Sequence, residues 1–175
     1  MKKLLFFAVV LLLFSVPALA QEYPRGEAFG GFTYERVDIS VVNVNAYGWH
    51  FAVNGNFHPH FGIEGEISGA YGSTLGVNFQ NYTFLGGPRV MGQFDKGTVF
   101  AHALFGYDHA RAQGAFSEND FAWAAGGGVD YNINKTWAWR VAQVDYLQIR
   151  VREPLNFTSN SFRFSTGIVA KWGVR

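Results

Sequence analysis

Seven charged residues share the small, polar phase of alternating segments: Glu64, Glu66, Arg89, Asp130 and Arg163, with Arg140 and Asp145 joining them across a slip in one segment. Carboxylates and guanidinium groups enclosed together must pair, because breaking a buried pair leaves an uncompensated charge. Such a set either plugs an enclosed space with salt bridges or lines a narrow, gated passage. The plug is the expectation.

The histidines and serines invite other chemistry. His58 and His60 flank Pro59 in a tight turn, and a metal there would need further ligands. They are expected to be turn histidines, and no metal site is expected. His102 is expected inside, hydrogen-bonded as buried polar groups are. His50 and His109 sit toward loop ends and are expected to be solvated. Ser68 or Ser165 with Glu66 and His102 would supply a nucleophile, an acid and a base, but no spacing singles them out. No catalytic residue is therefore assigned. The run Gly126-Gly127-Gly128 lacks the Lys-Ser/Thr ending of a phosphate loop. Asn81-Tyr82-Thr83, Asn134-Lys135-Thr136 and Asn156-Phe157-Thr158 are read as chance matches to a glycosylation pattern.

The elements that position these residues are strands. Trp49, Phe51, Val53, Gly55 and Phe57 alternate with His50, Ala52, Asn54, Asn56 and His58, the period of two that marks a strand with two unlike faces. The same alternation runs through 61–72, 81–90, 98–108, 121–131 and 161–172. In 26–37 both faces carry aromatics and the phase stays open. In 137–149 the phase slips, and a β-bulge near Ala142–Gln143 would reconcile Trp137, Trp139 and Val141 with Val144 and Tyr146. These make eight strands of roughly 10–13 residues, close to the length that crosses a bilayer at a tilt. The connections 58–60, 93–97 and 132–136 are short; 38–45, 73–78, 109–119 and 150–160 are expected to be mostly longer loops.

The first twenty residues read as a secretory signal peptide: Lys2-Lys3, an apolar run from Leu4 to Phe14, and a small-x-small site with cleavage expected after Ala20. The working domain is then 21–175. Losing Lys2 and Lys3 leaves the thirteen acidic residues one ahead of the basic ones, so nothing suggests nucleic acid. The absence of cysteine excludes a disulfide scaffold and thiolate ligands.

The alternation fits a soluble barrel or sandwich with an apolar core, or a membrane barrel turned inside out. Inversion is favoured. The polar row is small (Gly62, Ala70, Gly87, Gly106, Ala124, Gly128), as a narrow barrel interior requires. Its charges are few and mixed. Aromatics gather near the turns at Phe57, Phe61, Tyr131, Trp137 and Trp139, where an interfacial girdle belongs.

With Phe29-Gly30-Gly31-Phe32-x-Tyr34, Phe84-Leu85-Gly86-Gly87-Pro88-Arg89, Gly126-Gly127-Gly128-Val129-Asp130, Trp139-Arg140 with Asp145-Tyr146, and Phe162-Arg163-x-Ser165-x-Gly167-Ile168 in order, the chain resembles the OmpA-like outer-membrane β-barrel domain family. The resemblance implies an all-β, eight-stranded antiparallel transmembrane β-barrel in the cell outer membrane. No peptidoglycan-binding domain is expected, so that role does not carry over. The chain ends Trp172-Gly173-Val174-Arg175, whereas the family closes on an aromatic residue read by the assembly machinery; Trp172 is the candidate for that part. The expected role is structural or surface-interacting, through loops 109–119 and 150–160, with a largely plugged lumen and no cofactor. Expected partners are outer-membrane lipid, lipopolysaccharide and the envelope assembly machinery, and the barrel is expected to be monomeric. A narrow pore, a lipid A-modifying enzyme on the same scaffold and a secreted lipocalin-like binder are the alternatives.

Overall fold

The computed structural model describes residues 23–39, 42–74, 77–112, 118–151 and 157–173. The proposed signal peptide lies outside them. Eight antiparallel strands follow in chain order: β1 (Gly26–Ile39), β2 (Val42–His58), β3 (Phe61–Thr74), β4 (Val77–Phe94), β5 (Gly97–Ala112), β6 (Glu118–Asn132), β7 (Trp137–Val151) and β8 (Phe157–Trp172). Each pairs with its sequence neighbour, and β1 pairs with β8 to close the barrel. Closure leaves no unpaired edge, which is how a sheet satisfies its backbone in hydrocarbon.

The strands are longer than the alternation alone indicated, at 14 to 18 residues. The expected loops 38–45 and 73–78 are largely strand: β1 runs to Ile39, β2 starts at Val42, β3 runs to Thr74 and β4 starts at Val77. Polar residues there misled the reading, because a strand end beyond the apolar belt tolerates polar side chains on both faces.

The wall is inverted relative to a soluble protein. Phe51, Phe84, Phe105, Phe164 and Ile168 are exposed, whereas Glu64, Arg89, Asp130, Arg140, Asp145 and Arg163 are buried. In β1, Glu27, Phe29, Thr33 and Glu35 point inward and Phe32 points outward, which settles the open phase. In β7 the register shifts between Arg140 and Gln143, and both of these side chains are buried. The bulge thus lies where the phase slip required it, and it keeps Trp137, Trp139, Val141 and Val144 all outward.

Glycine makes room inside. A Cβ on Gly126 would meet the Asp145 carboxylate and the Val144 carbonyl, so only a bare backbone lets β6 pass this ion-pair cluster. Two apolar clusters share the interior with the charges. Phe29, Ala52, Ala138 and Val169 form one; Leu85, Leu104, Ala122, Ala124, Leu147 and Ile149 form the other, toward the loop end. Sequence reasoning gave the interior no apolar part of this size.

Candidate functional site

The inward residues of the eight strands stack into layers. Nearest the short turns, Arg89 Nη1 lies 3.1 Å from Glu27 Oε2 and 3.6 Å from Glu64 Oε2, and its Nη2 lies 3.7 Å from Asp130 Oδ2. Arg140 meets Asp130 as a fork: Nε donates to Oδ1 at 2.8 Å and Nη2 to Oδ2 at 3.1 Å. Its Nη1 donates to Gln143 Oε1 at 2.8 Å. The planar guanidinium suits both this bidentate geometry and stacking on rings. Arg140 sits between Phe29 and Phe100, at 4.3 and 4.4 Å from their centroids, and Arg89 covers Phe100 at 4.0 Å. Cation–π contacts offset part of the cost of desolvating two arginines side by side.

Arg163 holds the next layer. Its Nε and Nη2 donate to Asp145 Oδ2 at 3.0 and 2.8 Å, Nη2 also to Glu66 Oε1 at 2.5 Å, and Nη1 to Ser68 Oγ at 3.0 Å. Ser68 continues to Thr83 through a short hydroxyl–hydroxyl contact. Two histidines tie the layers together. His102 lies between Glu64, 3.2 Å from its Nδ1, and Asp145, 2.9 Å from its Nε2. His50 lies between Ser165 Oγ, 3.0 Å from its Nδ1, and Glu66 Oε2, 2.9 Å from its Nε2. Above this layer come the loop-end apolar cluster and a last polar group, where Ser161 Oγ donates to Glu35 Oε1 at 2.6 Å and Asp108 is buried.

All seven sequence-nominated charges are buried inside the closed wall. Glu66 pairs with Arg163 and His50, while Arg89 takes Glu27 and Glu64. His50, expected to be solvated, is buried at the middle of β2, because that strand continues to Val42. Sequence reasoning missed Glu27 and Gln143. Glu27 had a signal, since Glu27, Phe29, Gly31, Thr33 and Glu35 alternate, but aromatics on the opposite row obscured it.

The hydroxyl, base and acid combination also differs from the one imagined. Ser165, His50 and Glu66 form a continuous chain, whereas His102 belongs to Glu64 and Asp145. All three are buried, and Ser165 Oγ itself donates to Thr33 Oγ1 at 3.1 Å, so its hydroxyl is engaged in the wall. His58 and His60 remain in their turn, where His60 Nδ1 lies 3.1 Å from the Met91 carbonyl. Among the described residues, no three His, Asp or Glu side chains are placed to hold a metal.

Residues 6–168 match the family model described as the outer membrane protein β-barrel domain. No curated protein sequence matches the chain. Among solved structures, Neisserial surface protein A (NspA) aligns with a TM-score of 0.67 at 10% identity, covering 84% of this chain and 97% of that one. Ail, the attachment invasion locus protein of Yersinia pestis, aligns at 0.58 and 15% identity, covering 83% and 98%. OprG of Pseudomonas aeruginosa aligns at 0.57 and 10% identity, covering 87% and 97%. These likenesses are to the fold: all three are outer-membrane barrels of similar length.

Proposed function

The chain belongs to the outer membrane protein β-barrel domain family, and from that premise we propose that it is a structural or surface-interaction protein of the outer membrane whose lumen is plugged by salt bridges. The observation that carries this reading is Arg163. It is 1% exposed and bonded at once to β3 through Glu66 and Ser68 and to β7 through Asp145. A side chain that spans the lumen in this way occupies the path a solute would take. An eight-stranded barrel has an interior just wide enough for side chains to fill.

On this reading the protein is monomeric, its leader is cleaved after Ala20, and its partners are outer-membrane lipid, lipopolysaccharide and the envelope assembly machinery. It carries no catalysis. The Ser165–His50–Glu66 chain is enclosed, and an acyl substrate must reach the hydroxyl of such a chain to react.

Planar-bilayer recording of the folded protein tests the plug. Silent or brief, small events are expected. Large, stable conductance steps in most insertions would replace the plug with a pore. Conductance that appears only in Arg163→Ala would identify Arg163 as part of the plug.

A further inference from the structure

The charges inside the wall are sorted by height. Toward the turns, the buried carboxylates stand with Arg89, Arg140, Arg163, His50, His102 and Lys171, which are all the buried cationic side chains among the described residues. Beyond the loop-end apolar cluster the balance fails. There Glu35, Asp108 and Asp120 are 3%, 2% and 7% exposed, and no Lys, Arg or His among the described residues is buried with them.

Asp108 and Asp120 stand directly opposite each other in the register of β5 and β6. Like charges at opposed positions repel. The other described charge acting on Asp108 is that of Glu35, which is also negative. From β4, the Asn81 amide donates to the Asp108 carboxylate. One oxygen on each residue is left over: Asp108 Oδ1 and Asn81 Oδ1 are both buried and both lack a hydrogen-bond partner. Asp120 has interactions of its own, so the orphaned atoms are those of Asp108 and Asn81. The floor beneath them, with Leu85, Leu104 and Ala122, offers no side-chain donor.

Both orphaned atoms accept, so what they lack is a donor or a positive charge. Water would supply a donor and leave the like charges uncompensated. A cation meets both needs, because buried charges are either paired or coordinate metals. The available ligands are all oxygens, from carboxylates and an amide carbonyl, which is the set that hard divalent cations take. No three acids converge on one point among the described residues, so the chain supplies only part of a coordination shell. Mg²⁺ is commonly held in this way, by one or two carboxylates with water filling its remaining positions.

We propose that the loop-end mouth of the barrel binds a hydrated divalent cation, with Asp108 Oδ1 and Asn81 Oδ1 as its protein ligands and Asp120 and Glu35 supplying further negative charge. The group lies near the strand ends: Asp120 is the third residue of β6, Asp108 is the fifth from the end of β5, and Asn81 is half-buried. The short turns face the periplasm in outer-membrane barrels, so this mouth is the outer one. The apolar cluster separates it from the Arg163 layer.

Mn²⁺ is the probe for the test, because the paramagnetic resonance signal of the free ion is lost on binding. The full-length protein, folded in zwitterionic detergent and stripped with a chelator, is titrated in about 0.15 M salt, where loose surface binding is screened. One Mn²⁺ per chain is expected, and Mg²⁺ should displace it. Asp108→Asn and Asn81→Ala should each weaken binding about 10–100-fold, the loss usual when a group supporting a metal is removed. Asp95→Asn, in the exposed turn between β4 and β5, should leave it unchanged. A heat-modifiability gel identifies the variants that fold, and Asn81→Ala carries the test if Asp108→Asn does not. Failure of the wild-type protein to bind the ion stoichiometrically would overturn the inference and leave a proton as the neutralising group on Asp108. Binding that survives both substitutions would overturn it too, by placing the ion elsewhere on the chain.

Discussion

Replacing Arg163 with methionine should be among the most damaging single changes in the lumen. Methionine keeps the length and removes four charge-assisted hydrogen bonds, three to Asp145 and Glu66 and one to Ser68. Deleting one partner of a buried ion pair costs about 3–5 kcal/mol, because the remaining charge stays desolvated. Two carboxylates would be stranded here, which argues for the upper end. Both retain support, however: His50 stays 2.9 Å from Glu66, and Asp145 keeps His102 and Gln143, each at 2.9 Å. The lower part of the range, about 3 kcal/mol, is therefore expected. The assay is reversible urea unfolding in lipid vesicles, followed by tryptophan fluorescence, with the midpoint and slope read separately so that a change in the unfolded state is not mistaken for lost stability. Arg163→Met combined with Glu66→Gln and Asp145→Asn should recover part of the loss, since neutral amides leave no buried charge. A single variant that unfolds like wild type, or a triple variant less stable than Arg163→Met, would refute the assignment of Arg163 as the neutralising centre.

Phe164 lies midway along β8 and is 39% exposed on the outer wall; Phe164→Arg should cost about 2–4 kcal/mol in the same unfolding assay, and folding as well as wild type would mean that the row does not face lipid. A double-mutant cycle on Glu27 and Arg89 should show coupling of about 0.5–3 kcal/mol, whereas Glu66 and Arg89 should be nearly additive; the reverse pattern would reassign Arg89. Gly126→Ala should destabilise by about 1–3 kcal/mol through overpacking against Asp145 and Val144, and a neutral result would show that β6 and β7 can separate there at little cost.

The strand count, the inverted wall and the inward placement of Glu64, Glu66, Arg89, Asp130 and Arg163 were legible in the sequence. Alternation is a local property: a residue's face depends only on its neighbours two positions away. The bulge in β7 was legible for the same reason, because Trp139 and Val144 cannot share a face without an extra residue between them. Pairing across the barrel was not legible. Glu66 on β3 meets Arg163, 97 positions later on β8, and Glu27 on β1 meets Arg89 on β4. Such contacts cross a closed barrel, and they depend on the stagger that closure imposes between β1 and β8. The same limit explains His50, which alternation put on the inward row but whose burial required knowing how far β2 extends. It explains the apolar cluster too: Leu85, Leu104 and Leu147 stand on three different strands. Local periodicity decided which side of the wall each residue takes, and the stagger of the closed sheet decided which residues meet inside it.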